Sequence, residues 1–261
     1  MLAFLGLFLL GLGALSVFQV LRARKRIHAM VTTETVASHE LRELHQAAVG
    51  AVGPGAFRRR IEAAGTARPH PSGPLTSQLG STECVWFRTR ITRKYETRTG
   101  SGNGGNLARK SQVVSDFLSA SPFLVEDGSG ATVVVPAKGI VDHAPKTVDH
   151  FEPYRPGDNK PLGFLDIPGV TRHERTLGHQ QEEWVLRDGA QFYVRGEARD
   201  DERGELTIGA PSDGSPFLMT GLSEQDLIAV ERNKKKIFAV MAWGGLVLGP
   251  LALGGHWLLQ G

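Results

Sequence analysis

The sequence predicts an α+β protein, mainly β, with a barrel- or sandwich-like domain between two transmembrane helices. Three observations carry this prediction. Every charged side chain lies between two apolar end segments, residues 2–21 and 237–259. Each is long enough for a bilayer, since a helix rising about 1.5 Å per residue needs about 20 residues to span roughly 30 Å of hydrocarbon. The stretch between them is written mostly in short alternating runs broken by Gly, Pro and Asp, the signature of strands and tight turns.

The flanks of the apolar segments set an expected orientation. Arg22, Arg24, Lys25 and Arg26 follow the first, and Arg232, Lys234, Lys235 and Lys236 precede the second. Lys and Arg beside a membrane segment favour the cytoplasmic side. The expectation is a two-pass protein with a cytoplasmic central domain and both termini outside. A cleaved signal peptide fits the first segment poorly, because its bases follow the apolar run instead of preceding it.

Charge arithmetic narrows the partners. The calculated pI is about 9.1. Setting aside the eight flanking bases and Glu231, residues 27–230 keep 22 Lys and Arg against 26 Asp and Glu. The basicity therefore belongs to the flanks, where it suits anionic lipid headgroups. It does not form a face for phosphate, and no nucleic-acid partner is expected.

The elements follow in order. A linker helix is expected over 28–49, with Ala37, Leu41, Leu44 and Ala48 on one face and Thr32 or Thr33 as its cap. The β-rich domain is expected over 56–222. Within it, 56–67 and 83–99 read as strands, the latter with Val85, Phe87, Thr89 and Ile91 alternating against Trp86, Arg88 and Arg90. The glycine-rich run 101–106 reads as a hairpin tip, since no GK[ST] follows it. Residues 123–136 make a hairpin turning at Asp127–Gly130, and 182–198 a second one turning at Asp188-Gly189. Residues 142–169, rich in Pro and Gly, read as irregular, and short strands follow at 205–211 and 216–221. A juxtamembrane helix over 223–236 opens with the capping pair Ser223 and Asp226.

Candidate chemistry is sparse. Cys84 is the single cysteine, so no intrachain disulfide and no CxxC metal site can form. In an alternating strand it reads as a buried structural residue; as a nucleophile it would need an activating histidine, for which His143 and His173 are the candidates. His143, His150, His173 and His179, with Asp142, Asp149 and Glu174 beside three of them, match no metal-ligand spacing. Glu182 and Glu183 alternate in a strand, so only one can face a given side. No catalytic residue, no metal and no cofactor is expected.

Four ordered segments resemble the GIDE ("beside a membrane") domain family of the mitochondrial-anchored ubiquitin and SUMO ligase and its bacterial relatives. They are GPLTS with ECVWFR (73–77 and 83–88), SPFLVEDGSGATVVV (121–135), EEWVLRDGAQFYVRGEA (182–198) and SPFLMTGLSEQDL (215–227). The resemblance marks Pro74, Cys84, Pro122, Phe123, Asp127, Gly130, Glu183, Trp184, Gly189, Tyr193, Gly196, Pro216 and Phe217 as structural motif residues. It implies a membrane-tethered module that engages an unidentified protein partner. In the ligase a RING finger follows the second membrane helix and needs some eight Cys and His ligands. One cysteine in 261 residues cannot supply that set, so ligase activity is not expected from this chain. A part in an E3-like modification system, or a lipid or small-ligand sensor, is the alternative.

Overall fold

The computed structural model describes residues 35–99, 106–155 and 174–223, together with isolated helical positions at 11, 15 and 18 and between 225 and 240. The chain divides into two compact units, Thr35–Gly221 and the paired ends Met1–Glu34 with Leu222–Gly261. In the end unit, the Ser223 hydroxyl accepts the Asp226 N–H at 3.1 Å, and the Leu227 N–H donates to the Ser223 carbonyl at 2.9 Å. This is a helix N-terminus capped by the predicted serine. Among the described residues no helix is long and apolar enough to cross a membrane. The two apolar segments lie almost wholly outside those residues, as do the flanking bases except Lys236, an exposed helical position.

The main unit is built on a closed five-stranded barrel. Its strands are β1 (Arg58–Arg68), β6 (Phe123–Glu126), β7 (Ala131–Val134), β11 (Gln191–Asp200) and β12 (Leu206–Gly209). They run β1-β6-β7-β12-β11, and β11 pairs back onto β1 over nine residues, from Arg58↔Arg199 to Thr66↔Gln191. Only the β7–β12 pair is parallel. A closed five-stranded ring with this strand order is the arrangement of an OB-type barrel. Two short strands, β13 (Leu218–Thr220) and β8 (Val141–Asp142), extend the sheet beyond β11. Alternate side chains fill the interior, where Ile61, Phe123, Val125, Val134, Phe192, Val194, Ala198 and Ile208 are buried. Phe123 and Phe192 meet edge to face at 5.0 Å. Gly196 sits where β11 and β12 press together, because a Cβ there would lie 2.5 Å from the Gly209 carbonyl oxygen.

Helix α1 (Ser38–Val52) lays Leu41, Leu44 and Ala48 against this core. Of the helix predicted over 28–49, residues 28–34 lie outside the described residues, and the rest is corrected at both ends. Thr35 to Ala37 are extended, with the Val36 N–H bonded to the Glu62 carbonyl at 2.9 Å, and the helix continues to Val52. The cap comes from far along the chain. The Ser38 N–H donates to Asp127 Oδ2 at 2.6 Å and the His39 N–H to Ser129 Oγ at 3.1 Å. The β6–β7 turn therefore supplies the acceptors that the helix N-terminus lacks.

A second, four-stranded antiparallel sheet is formed by two insertions into the barrel. The first insertion carries β2 (Leu75–Thr76), β3 (Glu83–Cys84), β4 (Trp86–Thr99) and β5 (Asn106–Leu118); the second carries β8, β9 (Lys146–Pro153) and β10 (Glu174–Leu186). The sheet order is β5-β4-β10-β9, and β2 pairs with β3 separately. Two expectations change here. Residues 182–198 are not a hairpin, because β10 pairs with β4 and β9 while β11 pairs within the barrel. The turn at Gly189, with φ +79°, instead hands the chain from one sheet to the other, and its N–H bonds the Ala67 carbonyl at 2.9 Å. Residues 146–153, within the stretch read as irregular, form an edge strand exposed on both faces, which leaves no alternation to detect. The glycine-rich tip at 101–105 lies outside the described residues, but β4 and β5 pair up to Thr99↔Asn106, as a hairpin requires.

Candidate functional site

Strand register builds the most distinctive surface around Trp184. Its cross-strand neighbours are Arg88 on β4 and Lys146 on β9, with Arg90 two residues further along β4. On a pleated sheet such neighbours share a face. The half-buried indole consequently has three cations beside its ring: Lys146 Nζ at 5.2 Å, Arg88 Cζ at 5.5 Å and Arg90 Cζ at 5.9 Å from the centroid. These distances fall within reach of cation–π attraction.

Carboxylates hold the cations in place. Asp116 on β5 takes two 2.7 Å bonds from Arg88 and one of 2.9 Å from Arg90 Nη2. Those bonds, led by the one from Arg88, bring its carboxyl below the usual range against the opposing effect of burial. Lys146 bonds Glu182 and Asp149, and the Glu182 bond leads in raising its ammonium above the ordinary lysine value.

Beside this cluster lies a half-open cavity of about 230 Å³, lined by Trp86, Arg88, Ile140, Val141, Asp142, His143, Ala144 and Trp184. His143 adopts φ +59° in its wall, a backbone conformation uncommon outside glycine. Bonds on either side fix the turn. The Gly221 N–H donates to the Asp142 carbonyl at 2.9 Å, and His143 Nδ1 lies 3.3 Å from Thr220 Oγ1.

The opposite face of the same strands is closed and structural. Glu183 is fully buried and gathers the loop after β2. Its carboxylate accepts bonds from Ser77 Oγ at 2.8 Å, the Leu79 N–H at 2.7 Å, the Gly80 N–H at 2.9 Å and Thr89 Oγ1 at 3.3 Å. Cys84 packs beside it with Phe87 and Val185. Burial, then the charges of Glu183 and Glu83, push its thiol up to about 11. At neutral pH roughly one molecule in ten thousand would carry the thiolate that acts as nucleophile. His143 is engaged with Thr220, and His173 lies outside the described residues.

The remaining motif residues mainly shape the fold. Phe123 is buried in the barrel core, Tyr193 is buried on the other face of β11, Phe217 packs on the core, and Asp127 caps α1. A Cβ on Gly130 would meet Arg42 Nη2 at 2.6 Å. Pro122 stands just before β6, and Pro74 and Pro216 are exposed beside β2 and β13. Among the described residues no three His, Cys, Asp or Glu side chains group as metal ligands. His150 is exposed on β9, and burial keeps the His179 ring below the usual histidine value.

Sequence reading missed the partners of Trp184. Arg88 and Arg90 were visible as alternating residues of β4, but Asp116 reaches those arginines, and Lys146 the indole, only through strand pairings that a single sequence does not display. It also missed Asp200, which joins His45 Nε2 at 3.1 Å to the Gly55 and Phe57 amides at 3.0 and 2.9 Å.

No curated protein and no solved structure matches the chain. A family model does, over residues 92–254: GIDE, described as E3 ubiquitin ligase. The match begins at Thr92, inside β4, runs past the barrel's last strands and covers more than half of the 261 residues. The chain belongs to the GIDE family.

Proposed function

We propose that the protein is a membrane-tethered interaction module, in which the Trp184 surface and its cavity receive a protein partner. The observation that carries this reading is a half-buried tryptophan, ringed by three held cations, in the wall of a cavity. Trp and Arg dominate the energetic centres of protein interfaces. Ion pairs that already fix the arginines lower the ordering cost of binding. Recruitment rather than group transfer suits the site, since the one thiol in the chain is buried and held protonated. The description of the family, E3 ubiquitin ligase, supports a recruitment role near such chemistry.

The test is photo-crosslinking from Ile140, an exposed residue in the cavity wall, in the native membrane. A discrete crosslinked protein is expected, and Trp184→Ala should abolish it while the fold persists. No discrete product, or one indifferent to Trp184→Ala, would sink the reading.

Tethering rests on the two apolar segments and their basic flanks, which also favour contact with anionic headgroups and a cytoplasmic domain. Ser111→Cys places a thiol on the exposed part of β5, while Cys84 stays buried. Labelling by an impermeant maleimide only after the cells are opened supports the cytoplasmic placement. Labelling in intact cells reverses it.

A further inference from the structure

The four-stranded sheet is electrically divided. Strands β4 and β5 together carry seven Lys and Arg against two Asp and Glu, a net +5, or +4 without the buried Arg93. Strands β10 and β9 carry two Lys and Arg against five Asp and Glu, a net −3, or −2 without the buried Glu183. The two outer strands, β5 and β9, have no strand beside them among the described residues. An open edge presents a row of unpaired backbone N–H and C=O groups, a template for another strand.

Both edges also expose apolar side chains: Leu107, Val113 and Phe117 on β5, and Phe151 on β9. Neither has a proline inside the strand, since Pro153 is the last residue of β9, and each has a single bulge, at Val114 in β5 and at Thr147 in β9. Matching two β5 edges would bring together like-charged half-sheets, and so would matching two β9 edges. The complementary combination is β5 against β9.

We propose that copies of this chain associate edge to edge, the basic β5 edge of one against the acidic β9 edge of the next. The contact joins two different surfaces, so it is heterologous and builds a ring or an open row instead of stopping at a two-fold dimer. Affinity comes from main-chain bonds along the eight residues of β9, and register and partner choice from the opposed charges. A row of modules would present a row of Trp184 cavities, although the association does not depend on what those cavities bind.

Sedimentation of the full chain in detergent micelles tests this. Association should grow with protein concentration at about 50 mM salt and weaken at about 500 mM, where charges are screened within a few ångströms. Arg109→Glu with Lys110→Glu should weaken it about tenfold, and Asp149→Lys with Glu152→Lys likewise. Mixing the two variants restores it, because each then offers the other a complementary edge. If either variant fails to fold, Val113→Cys and Phe151→Cys replace them. Those two should form an intermolecular disulfide when mixed, and neither should do so alone. A monomer at every concentration in low salt, an association indifferent to both charge reversals, or Val113→Cys crosslinking to itself would overturn the proposal.

Discussion

The barrel and the four-stranded sheet share one chain and one antiparallel habit, yet they are stabilised in different ways. The barrel closes on itself through β1 and β11 and fills with Ile61, Phe123, Phe192, Val194 and Ile208. The sheet does not close. Its strands lie over a loop gathered by one buried carboxylate on one face and show ion pairs around an indole on the other. The two meet at neighbouring residues of β4. Trp86 joins the barrel core, whereas Phe87 joins the cluster around Cys84. Apolar closure makes the barrel a support, and polar satisfaction leaves the sheet able to carry exposed recognition groups.

Two substitutions set these regimes against each other. Phe123→Ala empties a fully buried site facing Phe192 and should cost about 4 kcal/mol in denaturant unfolding. A loss below about 1 kcal/mol would mean that the barrel interior collapses around the gap and is less rigid than its register implies. Glu183→Ala leaves the Leu79 and Gly80 amides and two hydroxyls without their acceptor, at a cost of about 3 kcal/mol. Its effect should be local. Hydrogen exchange at Leu79 and Gly80 should rise far more than at barrel residues such as Val194. Uniform acceleration would show that the sheet and the barrel unfold as one unit.

Legibility in the sequence followed the same division. The β6–β7 hairpin could be read because the largely apolar runs Phe123–Val125 and Thr132–Val135 flank a glycine-containing turn, and one face of that strand is buried. Strand β9 could not be read, because its two exposed faces place no constraint on alternation. Asp188-Gly189 was read correctly as a turn, but turn chemistry does not reveal whether the flanking strands pair with each other. That choice belongs to the long β4–β10 register, set by residues about a hundred positions apart. The Trp184 cluster was invisible for the same reason, since Asp116, Arg88, Trp184 and Lys146 are brought together only across four strands. The burial of Cys84, in contrast, followed from its place beside an alternating apolar run.

A smaller effect separates ordinary cation–π attraction at the sheet from its role in recognition. Lys146→Ala removes one cation from the Trp184 ring together with exposed bonds to Glu182 and Asp149. Such surface groups contribute about 0.5 kcal/mol, so thermal stability should hardly move. Crosslinking from Ile140 should nevertheless fall. A variant that retains full crosslinking would confine the recognition surface to Trp184 and the two arginines.

The least obvious tie between helix and barrel can be titrated. Asp127 caps α1 from 89 residues away, so a local feature of the helix depends on the β6–β7 turn. Burial pushes the Asp127 carboxyl up, but bonds from Ser129 and Ser38 outweigh it and leave it below the usual aspartate value. A lowered folded value means that the unfolded chain takes up the proton first as the pH falls. The cap's contribution is therefore complete above about pH 4, the ordinary aspartate value, and is lost as the pH drops through the lower folded value. Asp127→Ala should cost about 1 kcal/mol at neutral pH. The gap between the variant and the parent should then narrow as unfolding is repeated in progressively stronger acid. A gap that stays constant to the lowest pH at which the chain folds would show that Asp127 acts through the shape of its turn, not through its charge on the helix.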